Sequence, residues 1–451
     1  MRLVFDRGTL LLLDAPAGLP VGTLPGALWD PRVQAFRCPG YSLPALRQVL
    51  ESRNVQVSDE TSLHRLDRPV SRTPVELRPY QRAALAAWDL AGRRGVVVLP
   101  TGSGKTRLAM AAIAQAGEPA LCLVPTRVLL EQWVRATREL MGCEPGVLGD
   151  GERTLGSITV ATFESAWRHM DRIGNRFGLL VVDEAHHFGN GIRDEALEMC
   201  TATLRLGLTA TPPATPAGDR LVELLGRTVF ELSVADLAGS FLAPFDNVVI
   251  HVDLTSYERT EYDQLTRSFR DVLARFRRFH PGAGWDDFVR AAGRTDEGRR
   301  AIAAFHRTRK LLAFPAAKRA ALGRLLGAHA ETRTLVFVGD NATAYAVARE
   351  HLIMPLTCDI GRKERERALA LFAAGKIRAL VSAQVLNEGL DVPDAEVGII
   401  VAGHRGEREH VQRIGRLLRP RVGKRAQVYE LVVQGSREER QASRRRRSIA
   451  A

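Results

Sequence analysis

The chain is predicted to be an α/β protein with two parallel-sheet lobes, a small α+β unit ahead of the first and a helical insertion between them. Three observations carry that expectation. Between Pro74 and about Leu232, short apolar runs (Val96–Leu99, Leu121–Val124, Ile158–Ala161, Leu179–Val182 and Leu206–Leu208) alternate with stretches of helical spacing. Runs that are apolar on both faces belong to buried parallel strands covered by helices. The alternation resumes from Ala316 to about Gln434, with Leu335–Val338, Ala379–Ser382, Gly398–Val401 and Val428–Val433 as strands. The third observation is length, since 451 residues exceed what one core holds.

Taken in chain order, residues 1–66 form a separate unit. Leu10–Leu13 reads as a buried strand, turns crowd Pro16–Pro31, and Ser42–Glu51 carries Leu43, Leu46, Val49 and Leu50 at helical spacing. Residues 67–232 are the first lobe. Residues 233–315 change character. From Tyr257 to Lys310 the pattern is helical and basic, with thirteen Lys+Arg against eight Asp+Glu over 255–310, and Pro281, Gly282 and Gly284 break it. Residues 316–436 are the second lobe, and 437–451 are a basic tail containing Arg444–Arg447. Such a tail is ordinarily a solvated, disordered run, and its functional reading is a nucleic-acid arm.

The formal net charge is +13, which favours a polyanionic partner, nucleic acid being the usual one. The other source of such a charge is an arginine-rich composition with a solvated basic surface. Five scattered cysteines without a Cys-x-x-Cys pair indicate a reducing compartment and argue against structural zinc and an iron–sulfur cluster. No apolar stretch approaches the roughly 20 residues needed to span a bilayer. The N-terminal apolar stretch carries Arg2, Asp6, Arg7 and Asp14, unlike a signal peptide, so a cytoplasmic protein without membrane contact is expected.

The chemistry is concentrated in five segments. Val96–Leu99 runs into Thr101-Gly102-Ser103-Gly104-Lys105-Thr106 and then a helix, the strand–loop–helix context of a phosphate loop. Its glycines let backbone N–H groups turn toward phosphates, Lys105 reaches the β/γ-phosphates, and Thr106 can ligate Mg²⁺. The strict pattern wants glycine where Leu99 stands. Leu179–Val182 ends in Asp183-Glu184-Ala185-His186, with Asp183 suited to Mg²⁺, Glu184 to orienting or deprotonating water, and His186 to coupling the nucleotide to the other lobe. His187 reads as structural. Thr209-Ala210-Thr211 closes a further strand, as an ordinary turn or as a hydroxyl link to the carboxylates. In the second lobe, Gln384–Asp391 follows a strand, with Gly389 permitting close approach and Asp391 placed to meet a ribose or an arginine. Near the end of that lobe, Arg416 and Arg419 share a helical face without local acidic partners, with Gln412 and His410 nearby. Such arginines either contact phosphate backbone or stabilise a phosphoryl-transfer transition state.

With these segments in place the chain resembles superfamily 2 helicases. Leu77-Arg78-Pro79-Tyr80-Gln81 is similar to their adenine-sensing Q segment, which puts Arg78 and Gln81 with the nucleotide. Pro125–Arg127 and Thr162–Ser165 are similar to the backbone-gripping motifs of the first lobe, and Thr334–Phe337 to the start of the second. Asn175–Phe177, Arg205–Thr211 and Ile414–Pro420 look most like the XPB (xeroderma pigmentosum group B) branch in its compact prokaryotic form. The resemblance implies two RecA-like lobes that bind ATP and Mg²⁺ between them, and a 3′-to-5′ motor on single-stranded or forked DNA in repair. It implies that 1–66 is damage-recognition-like and that the insertion is thumb-like. It also implies that a nuclease partner is common. One element departs: the Arg-Glu-Asp segment that the branch carries after Thr-Ala-Thr is replaced by Pro212–Arg220, where only Asp219 could stand for part of it. Intact ATP chemistry with weak unwinding is therefore expected. Two other readings are an RNA-directed ATPase or defence-system motor subunit, and a nucleic-acid scaffold without catalysis.

Overall fold

The computed structural model describes residues 1–16, 19, 21–62, 64–66, 70, 73–191, 193–211, 217–237, 240, 241, 244–383, 395–402 and 425–450. Among these, Met1–Ser233 form one compact unit and the residues from Val234 onward another.

The first unit begins with a five-stranded sheet in the order Leu28–Asp30, Ala35–Pro39, Thr9–Leu13, Arg2–Asp6, Ser58–Asp59, antiparallel except for the last pair. Helix Leu43–Ser52 lays Leu43, Leu46 and Leu50 against Leu3, Leu10 and Leu12 in a core of their own. This small domain sits on the rest of its unit by close backbone approach. A Cβ on Gly40 would lie 2.6 Å from the Met199 carbonyl oxygen, so only glycine fits there. The Tyr41 hydroxyl donates to Glu223, and Arg220 pairs with both Glu223 and Glu198. Asn175, buried, donates from its amide to the Thr61 carbonyl at 3.3 Å, and Leu66 N–H donates to the Arg176 carbonyl at 3.0 Å.

An eight-stranded sheet follows in the order Thr228–Glu231, Arg94–Val98, Leu204–Thr209, Leu179–Val182, Ala120–Val124, Ile158–Thr162, Gly146–Gly149, Glu152–Arg153. All neighbours are parallel except the last pair. The five strands read from the sequence are its centre. The rim strands at 146–149, 152–153 and 228–231 lack the continuous apolar run that marked the others. Arg205, within the apolar strand Leu204–Thr209, is fully buried. Its guanidinium donates to the carbonyls of Ala202, Leu197, Leu224 and Cys200 at 3.0, 3.1, 2.7 and 2.5 Å. Burial lowers its pKa to about 10, still charged at neutral pH.

The second unit carries six parallel strands in the order Phe245–Val252, Ala426–Val433, Val397–Ile400, Thr334–Phe337, Ala379–Ser382, Met354–Leu356. The stretch 233–315 is therefore not wholly helical: Phe245–Val252 pairs along the full length of Ala426–Val433 and belongs to this sheet. It is an edge strand with Ile250 and Val252 turned to the core and His251 exposed, so it shows no unbroken apolar run. The helices are Ser256–Phe279, Trp285–Ala292 and Asp296–Ala313, with the two long ones packed side by side and the break at Pro281–Gly284 between the first two. Glu258 ties their base: one carboxylate oxygen accepts the Thr255 N–H at 3.0 Å in a capping box, and the other accepts the Ala316 N–H at 3.0 Å.

The final segment is the helix Arg437–Ala450 rather than a free run, and its first turn is anchored in the core. Fully buried Lys318 donates to the carbonyls of Leu312 and Val401 at 2.9 and 2.7 Å and to the Glu438 carboxylate at 2.9 Å, while Glu438 also accepts the Val433 N–H. Removing one member strands the other in a low-dielectric interior. Glu438→Ala is expected to destabilise the second unit by about 3–5 kcal/mol in denaturant unfolding, and Lys318→Met/Glu438→Leu by much less.

Candidate functional site

The C-terminal ends of parallel strands all open on one edge of a sheet, where ligands of α/β proteins bind. In the first unit that edge collects most of the candidate residues. Strand Arg94–Val98 leads into the phosphate loop, Leu179–Val182 into Asp183 and Glu184, and Leu204–Thr209 into Ala210 and Thr211. Thr126 and Thr162, which follow the two remaining central strands, cap helices Arg127–Met141 and Phe163–Ile173 by accepting from Leu129 N–H and Ser165 N–H.

Gly102 (φ +85°) and Gly104 (φ +79°) are left-handed, so the loop needs glycine at both positions. Gly104 caps helix Lys105–Ala116, which places Lys105 and Thr106 in its first turn. Lys105 is 9% exposed, and its ammonium donates to the Leu99 carbonyl at 3.3 Å. Leu99 itself is buried and its N–H donates to Thr209 O at 2.9 Å, so a side chain is accommodated where the strict pattern wants glycine. The loop is braced from behind. The Tyr80 hydroxyl and the Gln81 amide donate to the Ser103 carbonyl at 2.6 and 2.8 Å. The Gln81 side-chain oxygen accepts the Arg78 N–H at 2.9 Å. Gln81 is 1% exposed, so in this structure its amide holds the loop, while Arg78 is exposed beside Pro79, the first residue of helix Pro79–Leu90.

Asp183 is 5% exposed. One carboxylate oxygen accepts the Trp133 indole N–H at 3.0 Å and the other the Glu184 N–H at 2.9 Å. Burial pushes its pKa up to about 6; the neighbouring Glu184 charge adds to this, while Lys105 and Trp133 pull it down. Glu184 stands in the left-handed region (φ 47°, ψ 48°), a strained conformation for a non-glycine residue, which turns its carboxylate off the strand axis. His186 Nδ1 lies 3.5 Å from the Glu184 carboxylate and 3.0 Å from the Thr209 hydroxyl, which in turn donates to the Thr211 carbonyl at 2.8 Å. The threonine segment is thus joined to the carboxylates. His187 packs against Phe163 and the His186 ring.

Three buried oxygens on this edge have no hydrogen-bond partner among the described residues: Thr101 Oγ1, Glu184 Oε2 and Thr211 Oγ1. Orphaned buried acceptors and donors call for a ligand or water. A glycine loop, a buried ammonium, a hydroxyl and two carboxylates fit a polyphosphate with a divalent cation. Gly389, Asp391, Gln412, Arg416 and Arg419 lie outside the described residues. Trp133 was missed by sequence reasoning. In the sequence it is one tryptophan within a helical stretch, and a buried indole N–H needs some acceptor without naming which.

Comparison with known proteins agrees with this geometry. Residues 3–61 match the xeroderma pigmentosum group B helicase damage recognition domain, 74–214 the type III restriction enzyme res subunit, and 317–421 the helicase conserved C-terminal domain. The chain is 33% identical to the DNA 3′-5′ translocase XPB2 of Sulfurisphaera tokodaii over 97% of its own length and 98% of that protein. It is 30% identical to the DNA 3′-5′ helicase XPB of Mycobacterium tuberculosis over 83% of its length, spanning 64% of that longer relative. Among solved structures, the Pyrococcus furiosus Hef helicase domain superposes with a TM-score of 0.54 at 21% identity, covering 83% of this chain and 98% of that one. The fold class is accordingly two RecA-like lobes with a small N-terminal domain.

Trp133→Phe keeps an aromatic ring but leaves a buried carboxylate short of a donor. It is expected to lower unfolding free energy by about 1.5–3 kcal/mol in denaturant titration. Trp133→Phe/Asp183→Asn is expected to lose less than the sum of the single variants.

Proposed function

Because the chain belongs to the XPB family of DNA 3′-5′ helicases and translocases, we propose that it is a 3′-to-5′ DNA motor that couples ATP hydrolysis to movement on single-stranded or forked DNA during repair. The observation that carries this reading is the convergence of Lys105, Asp183, Glu184 and three orphaned oxygens at the strand ends of one parallel sheet. The loop from Thr101 to Thr106 cradles the ATP phosphates, and Lys105 offsets their charge. Thr106 and Asp183 hold Mg²⁺, which when bound neutralises charge on the phosphates. Glu184, whose Oε2 accepts no hydrogen bond among the described residues, orients the attacking water and takes its proton. His186, Thr209 and Thr211 carry the state of that carboxylate toward the segment after Thr211. Arg416 and Arg419 supply the transition-state cations, an assignment supported by sequence and family. A nuclease partner is part of the same proposal on the same support.

Weak unwinding is the second part of the reading. The helix Ala217–Leu225, which begins within the altered segment, commits Arg220 and Glu223 to Glu198, Tyr41 and each other. Those two charges are committed inside the unit, while Asp219 stays exposed, which supports a motor that grips and moves DNA without an intact strand-separating element there.

The test is ATP turnover without nucleic acid and with single-stranded DNA, forked duplex or RNA. Strong stimulation by DNA and not by RNA is expected; stimulation by RNA, or indifference to both, would refute the DNA motor. Lys105→Ala is expected to abolish turnover. Arg416→Ala is expected to cut it by about 10³-fold or more while ATP affinity changes little. DNA binding should weaken steeply with salt, as phosphate contacts do. Robust unaided unwinding of long duplexes by the purified chain would sink the weak-unwinding proposal.

A further inference from the structure

The tip of the helical insertion carries a feature that the ATP site does not use. Where helix Ser256–Phe279 ends, Phe276, Phe279, His280 and Phe288 wall an open pocket of about 230 Å³, with Arg275 and Glu297 on its rim. The Phe276 ring lies 4.7 Å from the His280 ring, tilted by 35°, and 5.4 Å from Phe288, edge to face. Phe288 is 1% exposed and fixed by Phe269 and Trp285, so the back wall is rigid. Phe279 is the opposite case: its ring is 71% exposed. A lone exposed ring would need no explanation, but with Phe276, His280 and Phe288 it completes one contiguous aromatic surface around an open pocket.

Charge decides the occupant. Arg277 and Arg278 precede Phe279 directly, Arg294 stands next to the pocket-lining Thr295, and all three are exposed without a carboxylate partner among the described residues. The rim carboxylate Glu297 is neutralised by Arg275 at 3.1 Å, leaving oxygens suited to a base N–H donor rather than a free negative charge. Unpaired arginines close in sequence to an aromatic pocket give the combination that holds unstacked bases while the cations follow the phosphates.

Resting on the DNA-motor reading above, we propose that this pocket at the insertion tip binds one unstacked nucleobase of single-stranded DNA, with Phe279 as its stacking face. The site gives the motor a hold on unpaired bases in addition to phosphate contacts. A duplex, whose bases remain stacked, does not enter it.

The experiment measures affinity of the full chain by fluorescence anisotropy for a single-stranded oligonucleotide, an abasic strand of the same length and a blunt duplex. Base–aromatic stacking predicts that Phe279→Ala weakens binding to the base-bearing strand by about tenfold. Binding to the abasic strand and duplex should stay at wild-type level, and Phe279→Trp should retain wild-type binding to all three. Equal loss on all three substrates would reduce the tip to a backbone contact and overturn the proposal. No loss on any would overturn it as well and assign the exposed ring to a protein partner. The binding comparison is read without turnover, so it is separable from the motor reading. DNA-stimulated ATPase in the wild type with no selective Phe279 effect rejects the pocket alone, whereas absence of stimulation rejects the motor.

Discussion

A carboxylate buried at the end of a strand that is itself buried on both faces is the constraint around which the first lobe is arranged. Asp183 has lost its water, and burial raises its pKa toward neutrality. Its two oxygens are satisfied by an indole N–H and a backbone N–H, which hold the group in one orientation. A cation beside it favours its charged form. Lys105 sits near enough to lower its pKa, and a divalent ion would do so more strongly. The neighbouring Glu184 is forced into a left-handed conformation by the same arrangement.

Parallel topology makes this convergence possible. Every central strand of the first lobe delivers its C-terminal residues to one edge, so segments far apart in sequence become neighbours. The phosphate loop gains rigidity from outside itself, because Tyr80 and Gln81 grip the Ser103 carbonyl from the preceding helix. Anything that moves that helix moves the loop. The Q-like segment is therefore mechanically joined to the glycine loop by hydrogen bonds to its backbone.

Each lobe also contains one buried cation that binds its periphery to its sheet. In the first, Arg205 needs no carboxylate, since a planar guanidinium with five N–H groups can be satisfied by four carbonyls. Those carbonyls belong to the Leu197–Ala202 segment and the end of helix Ala217–Leu225, two of the places on which the N-terminal domain rests. In the second, the Lys318 ammonium uses two carbonyls and requires Glu438 for the rest of its charge. That requirement draws the start of the basic tail into the core. The arginine ties a domain in place and the lysine ties a terminus.

The sequence by itself determined the class of fold, the central strands of both lobes and the local strand-to-loop segments at Thr101–Thr106 and Asp183–His186. Buried parallel strands are continuous apolar runs, and a phosphate loop is a local strand–loop–helix event, so both are written in adjacent residues. The edge strand Phe245–Val252 escaped because half burial leaves no such run. Only tertiary structure decided that Trp133 serves Asp183, that Thr209 meets His186, that Arg205 is paid in carbonyls and that Glu438 anchors the tail. These partners are 50, 23, 8 and 120 residues apart. A buried polar group must be satisfied, and the sequence announces that demand, but the packing of the whole chain chooses which distant atom meets it.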